Sequence, residues 1–443
     1  METSHRHILI YATVNSARLR YVLSWIFEEQ LQVSYQITSD LKFWNLAEAL
    51  KINYSDEKVD AEILTIKPHP IMAQTGVQTQ VYNINRWKHS TILFYNQPGA
   101  TIPFDIFSAT FFLLSRYEEY LPHQKDHHGR FEAKQSLAQQ FSFLQQPVVD
   151  EWLFHFRKIL ERKLNCTLPQ PLFTFLPSYD IDIAWKYLHK GKKRNIGGYA
   201  KDLLQFKWNS VAERAAVLKG KKTDPFDNFG FLDKFHEQYQ LQPIYFILLG
   251  QWSDYDKNAE PNAPAMSTLM QQLAQRYELG IHPSYLSHQS IATLKSEIEM
   301  LAKASHKLVT NSRQHYIKFT LPETYRNLIE AKIKDDFSMG YASCNGFRAG
   351  TSRSFLWYDV LREETSTLRV HPFVYMEATS MFYQKNNVQE AFMEWERLYH
   401  AVKNVQGRFI SIWHNHNLGE DRKSKKWRAL YAKMLAVIAG DKL

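Results

Sequence analysis

The sequence predicts an α/β protein, with a distorted (β/α) barrel in its C-terminal part preceded by a small α/β N-terminal domain. Three observations carry this. From Leu172 onward, short apolar strand-like runs alternate with helical segments, which is the pattern of a parallel sheet. About seven such units fit into the ~270 residues that follow, as a barrel requires. The stretch Leu168-Pro-Gln-Pro171 forms a natural boundary between this region and the one before it.

The N-terminal domain is expected over residues 1–165, including a linking helix. Residues 8–13 read as a first strand and 17–31 have helical spacing. Strand-like runs recur at 33–38, 61–66 and 91–95, with turn residues between them. Residues 104–120 read as a long apolar helix and 152–164 as an amphipathic one. The barrel is expected over 172–440. Its strands are placed at 172–179, 243–249, 278–282, 315–319, 337–342, 368–373 and 408–413. Helices are placed at 229–239, 267–277, 291–307, 323–331 and 388–405. One insertion, residues 186–222, sets eleven Lys and Arg against only Asp202 and Glu213. Leu203, Leu204, Phe206, Trp208 and Val211 are interleaved with these charges. Such a basic amphipathic segment suits a lipid or glycan surface, or packing on the barrel rim.

At 443 residues the chain is too long for one ordinary domain. A hydrophobic content of 44% against 22% charged residues excludes wholesale disorder. The 14% aromatic content serves a core or a carbohydrate cleft equally well. A net charge of +9 favours acidic partners, yet no nucleic-acid fold signature is present and nucleic acid is not an expected one. The two cysteines, Cys166 and Cys344, form no ligand-like spacing and no disulfide framework. No run approaches the ~20 apolar residues needed to cross a bilayer. The N-terminal apolar run is too short for a signal core and lacks a cleavage site. The expected location is cytoplasmic, with peripheral membrane contact through the basic insertion.

Polar groups at the C-terminal ends of barrel strands build the site in such folds, and four strands end suggestively. The first ends in Tyr179-Asp180-Ile181-Asp182. Two carboxylates directly after a buried strand are costly without a metal, a shared proton or another partner; an Asp there also serves as a helix cap. Another ends in Gly280-Ile281-His282-Pro283-Ser284-Tyr285, with His288 six residues beyond His282. Gly346 and Gly350 bracket Arg348, a placement that would let the backbone approach a ligand. The last strand ends in Trp413-His414-Asn415-His416-Asn417, which reads as a catalytic histidine beside an aromatic wall.

In this order the four stations resemble the polysaccharide deacetylase superfamily, carbohydrate esterases of the chitin and peptidoglycan deacetylase type. The resemblance covers roughly residues 172–440. It implies that one of Asp180 and Asp182 is the general base and the other a metal ligand, with Asp180 assigned as base and Asp182 as ligand, that His282 is a second ligand, and that Arg348 orients the base. It also implies that His414 is the general acid. The family's adjacent Asp pair is here Asp-Ile-Asp, as in a diverged branch. Its second metal histidine would fall at position 286, which is Leu286; His288 is the substitute, at a different spacing. The stretches Leu114-Ser-Arg-Tyr-Glu-Glu-Tyr120, Gly129-Arg-Phe131 and Pro147-Val-Val-Asp-Glu-Trp152 resemble an uncharacterised domain found ahead of such barrels. There, Arg116 and Arg130 with Glu118 and Glu119 suggest an ion-pair network at a domain interface.

What the resemblance implies is a metal-dependent hydrolase that removes acetyl groups from a glycan. The divalent cofactor, most simply Zn²⁺, would be held by Asp182 and His282, with His288 as a weak third. Tyr285, Trp413 and Asn415 are the expected substrate-binding residues. The expected partner is a glycan, including anionic or lipid-linked forms. The alternatives are a catalytically inactive glycan-binding protein on the same fold and a basic accessory protein at the membrane surface.

Overall fold

A computed structural model of the chain describes residues 7–421 and 424–440. The expectation about a leader rests partly on residues 1–6, which lie outside the described residues.

The N-terminal part is built on a four-stranded parallel sheet in the order β2-β1-β3-β4. Its strands are β1 (His7–Ala12), β2 (Ser34–Thr38), β3 (Leu50–Tyr54) and β4 (Leu64–Thr65). Strand β3 was not foreseen, because Lys51 and Asn53 break its apolar run. Asn53 is buried at no loss, since its amide donates to the Glu57 carbonyl and its oxygen accepts from Ser55. Helix α1 (Ala17–Leu23) continues into a wider π-turn, and α2 (Leu41–Leu46) packs Trp44 on one face of the sheet, against Leu9 and Tyr11 of β1. A small hairpin, β5 (Asn85–Trp87) with β6 (Ser90–Ile92), precedes α3 (Ile106–Leu114). The expected helix over 104–120 is cut short at Arg116, whose φ of 53° is left-handed. A 3₁₀ turn at Tyr117–Tyr120 follows and places Glu118 and Glu119 beside Arg116. The short α4 (Leu137–Gln140) and the amphipathic α5 (Val148–Leu164) complete this part.

The C-terminal part carries a nine-stranded sheet. Its members are β7 (Thr174–Ile181), β8 (Ile244–Leu248), β9 (Glu278–His282), β10 (Asn311–Ser312), β11 (Asp335–Asp336), β12 (Phe355–Asp359), β13 (Glu364–Val370), β14 (Tyr375–Met376) and β15 (Arg408–His414). Their order is β12-β13-β11-β10-β9-β8-β7-β15-β14, all parallel except β12. The expected closed barrel is therefore not formed as a ladder: β12 and β14 are its two edges. The cause is local. Residues 371–374 are too few for a crossover between neighbouring parallel strands, so the chain runs on without reversing. His371 N still donates to Asp336 O, whereas Val374 N already donates to Ile410 O. One continuous segment thus serves β11 at one end and β15 at the other.

Helices α6 (Gly191–Leu204) and α7 (Trp208–Leu218) form the basic insertion. Then α8 (Phe229–Gln238), α9 (Pro264–Arg276), α10 (Ile291–Ser305), α11 (Glu323–Glu330), α12 (Val388–Asn404) and α13 (Ser424–Ala439) follow. Five of these match the expected helices to within a few residues. One hydrophobic cluster runs through both parts of the chain, so the two sheets share a core. No helix among the described residues is long and apolar enough to cross a membrane.

The contact between the parts is polar as well as apolar. Arg116 pairs with Glu118 and Glu119, bonds the Arg348 carbonyl and reaches the Tyr341 hydroxyl. Arg348 closes a bidentate pair with Glu119 at 2.9 and 2.6 Å. Arg130 pairs with Asp126 instead, and bonds the Tyr316 carbonyl.

Candidate active site

Strand β7 delivers the acids. Alternation sends Tyr179 outward, where its hydroxyl meets His236 and Tyr431, and turns Asp180 inward. Asp180 is buried, and its Oδ1 accepts from Arg313 Nη1 at 2.9 Å. Arg313 is fixed by a second bond, Nε to the Phe337 carbonyl at 3.0 Å, and by the Phe246 ring 4.2 Å from its guanidinium carbon. The other oxygen, Oδ2, stands 3.9 Å from His282 Nε2 and 4.0 Å from His414 Nε2.

Asp182 lies one residue past the strand, with each oxygen turned to imidazoles. Oδ1 is 3.1 Å from His282 Nε2, while Oδ2 is 3.8 Å from His315 Nε2 and 3.6 Å from His414 Nε2. Burial opposes its charge, but these three histidines hold its pKa well below the usual carboxylate range. Donor atoms of Asp182, His282 and His315 all lie within 4.8 Å of one another.

This set fits a metal ion. His282 Nδ1 donates to the Arg313 carbonyl at 2.6 Å, and His315 Nδ1 faces Asp256 Oδ1 at 3.0 Å. With each Nδ1 so occupied, each Nε2 is left to offer its lone pair inward, the usual outer support of a ligating histidine. Asp182 Oδ1 is buried and accepts no well-formed hydrogen bond despite its 3.1 Å neighbour. Two imidazoles and one carboxylate form a donor set that suits a divalent metal ion. Zn²⁺ at about 100 times its Kd is expected to stabilise the protein by about 2.7 kcal/mol, read as a rise in Tm. His315→Ala should abolish the rise and His288→Ala should leave it. A rise that survives His315→Ala would remove His315 from the ligand set.

Beside Asp180, in register with it on the neighbouring strand β15, stands His414. Its Nδ1 is 2.9 Å from Glu377 Oε1, which also accepts from the His414 backbone N–H and from Asn417 at 2.8 Å each. Burial works against an imidazolium here, but Glu377 first, then Asp182 and Asp180, lift the pKa to about 10. The same carboxylates favour the protonated form of His414. The group opens into a cavity of about 520 Å³ whose walls include Tyr255, Tyr316, Phe382 and Tyr383. Tyr285 backs this wall: its ring stacks on Tyr255 at 3.9 Å and its hydroxyl meets His128 of the N-terminal part at 3.1 Å.

Of the residues singled out in the sequence, Asp180, Asp182, His282 and His414 converge on this cavity. Four others do not. His288 sits on a 3₁₀ turn, Ser287–Gln289, that keeps it out of both the metal-type cluster and the cavity lining. Arg348 lies in the interface network described above, and Arg313 is the arginine at Asp180. Trp413 alternates with His414 along β15, so it faces the outer core, against Tyr375 and Tyr431. Asn415 is fully buried and its amide ties the Ile183 and Phe226 carbonyls together at 3.1 and 3.0 Å. His315, Arg313, Glu377 and His416 went unread. Their signal was present: Asn311-Ser-Arg-Gln-His315 is a polar cluster at a strand end, and Glu377 terminates the apolar run Phe373-Val-Tyr-Met376.

Residues 8–165 match a family of unknown function, DUF7033. A search of curated proteins finds no match. Among solved structures, the chain is similar to the polysaccharide deacetylase Bc1974 from Bacillus cereus, with 12% identity over 59% of this chain and 87% of that one, at a TM-score of 0.28. PuuE allantoinase gives 11% identity over 59% and 84%, at a TM-score of 0.36. A Mycobacterium smegmatis protein assigned as a polysaccharide deacetylase gives 12% identity over 60% and 85%, at 0.39. Likenesses this low decide nothing about the chemistry, which rests on the residues themselves.

Proposed function

We propose that the protein is a metal-dependent hydrolase that removes acetyl groups from a glycan. The observation that carries this reading is the convergence, in one aromatic-walled cavity, of a three-donor metal-type cluster with an arginine-held carboxylate and a histidine backed by Glu377. Asp182, His282 and His315 would hold the ion. Once bound, it would polarise the acetyl carbonyl and make a water more acidic. Asp180, anchored through Oδ1, keeps Oδ2 for the proton of the attacking water. The water oxygen bonds to the acetyl carbon, and the bond to the sugar nitrogen or oxygen then breaks. His414 gives its Nε2 proton to that leaving atom while Glu377 holds the Nδ1 side. Acetate and a free amine or hydroxyl result. The planar faces of Tyr255, Tyr316 and Tyr383 suit sugar C–H surfaces.

The non-catalytic alternative arose from the empty place at Leu286; His315 supplies a second imidazole from another strand end, which favours the hydrolase. Acetate release from N- and O-acetylated glycans by the Zn²⁺-loaded chain tests the proposal. His414→Ala is expected to lower it by about 10²–10⁴-fold. Release that is undetectable for the native chain on every glycan class, or unchanged in His414→Ala, would overturn it.

A further inference from the structure

Residues 186–222 carry eleven Lys and Arg against two acids, a net +9, which equals the net charge of the whole chain. All of the protein's excess charge is thus in one segment. That segment is a helical hairpin of α6 and α7, and it is scarcely buried: α6 has no buried residue and α7 only Val217. It is nevertheless a built element. Arg214 pairs with Asp202 at 2.8 Å, lies over the Tyr187 and Tyr199 rings, and packs so closely on Gly198 that a Cβ there would meet the guanidinium at 2.4 Å. Lys186 and Lys222 both pair with Glu213. The two acids are therefore consumed inside the hairpin. Lys192, Lys193, Lys201, Lys207, Lys219 and Lys221 are exposed, and none of them pairs with an acid among the described residues.

The tip is apolar where it meets water. Leu204, Phe206 and Trp208 are 80%, 76% and 61% exposed, with Leu203 beside them, and Phe206 sits at the left-handed turn between the helices. Lys201 and Lys207 flank this patch. A nucleic acid would use the lysines and stack on Phe206 and Trp208, but would leave the exposed aliphatic Leu203 and Leu204 without a role. A purely apolar partner would not need the lysines. An anionic lipid interface uses both: apolar side chains enter the acyl boundary while cations meet the headgroups.

The hairpin also bears on the site. It follows β7, whose C-terminal end carries Asp180 and Asp182, so it rises from the face that bears the cavity. Arg194 bonds the Lys257 and Asn258 carbonyls at 2.8 and 2.7 Å, and Lys257 lines the cavity mouth.

We infer that the α6–α7 hairpin docks the protein on an anionic lipid bilayer through Leu203, Leu204, Phe206 and Trp208 and the lysines around them, with the cavity mouth near the membrane surface. A substrate presented at that surface follows. The inference stands apart from the hydrolytic reading, since it is read by binding alone.

The test is co-sedimentation of the full chain with phosphatidylcholine vesicles, with and without phosphatidylserine. Binding is expected only with the anionic lipid and should weaken as salt is raised. The triple variant Leu204→Ser, Phe206→Ser, Trp208→Ser should bind at least about tenfold more weakly, as should Lys201→Glu with Lys207→Glu. All five side chains are exposed, so circular dichroism and Tm should be unchanged. No preference for anionic vesicles overturns the inference. So does full retention of binding by the triple variant, which would indicate a polyanion site. A dimer in solution that the triple variant converts to monomer also overturns it, since a second copy would then cover the tip.

Discussion

Replacing Asp180 by Asn is expected to lower acetate release by about 10²–10⁴-fold while leaving Zn²⁺ affinity nearly unchanged. The two acids of the Asp-Ile-Asp stretch differ in their neighbours, and that difference assigns their roles. Asp182 meets His282 on one oxygen and His315 and His414 on the other, at 3.1 to 3.8 Å. It is placed as a ligand among ligands. Asp180 has one oxygen committed to Arg313, and only its second oxygen reaches toward the cluster, at 3.9 and 4.0 Å. An amide at position 180 keeps an acceptor for Arg313 but cannot take a proton. Because Arg313 is wholly buried, the lost counter-charge also costs stability, so Tm is read alongside. The contrasting variant is Asp182→Asn, which should lose Zn²⁺ affinity and activity together. Equal loss of metal affinity in both variants would show that the two acids are not divided in this way. Arg313→Lys is expected to lower kcat more than it raises KM, since a point charge cannot hold both Asp180 and the Phe337 carbonyl as the guanidinium fork does.

What the sequence made legible, and what it hid, follows from how each residue is held. Asp180, His282 and His414 stand at the ends of strands of five to eight residues whose last residues are buried, and the rule that strand ends carry function found them. His315 follows a strand of only two residues, Asn311–Ser312. So short a run has no periodicity, and the apolar residues after it were read as the strand instead. Arg348 misled for a physical reason. Its flanking glycines have positive φ, +138° at Gly346 and +67° at Gly350, and a Cβ at Gly346 would meet the Leu144 carbonyl oxygen at 2.4 Å. They permit close approach, but of the N-terminal part of the chain and not of a ligand. Trp413 and His414 cannot both face a cavity from adjacent positions on one strand, and that much was available from alternation alone.

The N-terminal part is bound to the cavity-bearing part through the buried group of Arg116, Arg348, Glu118 and Glu119, and Glu119→Gln is expected to destabilise the protein by about 3–5 kcal/mol. The group holds two guanidinium and two carboxylate charges, all at or below 7% side-chain exposure. Removing one carboxylate leaves an uncompensated buried cation, and the Gln amide nitrogen cannot accept the second of Arg348's bidentate bonds. The pH dependence gives an independent check. Burial penalises the Glu119 carboxylate, but Arg348 and then Arg116 outweigh it and depress its pKa from 4.5 to about 2. A depressed folded-state pKa means stability that is fully present above about pH 4.5 and lost as pH falls toward 2. The depression corresponds to about 3 kcal/mol, in line with the mutational figure. Glu118 acts in the opposite sense: burial raises its pKa, with Glu119 contributing, so its share of stability grows on acidification. Urea denaturation of the native chain and of Glu119→Gln, at pH 7 and at pH 3, separates these. The gap between the two proteins should be large at pH 7 and shrink by roughly half or more at pH 3, because the native chain has then lost most of what the variant never had. A gap below about 1 kcal/mol at pH 7, within the range of an ordinary surface pair, would mean that the buried charges are not what joins the two parts.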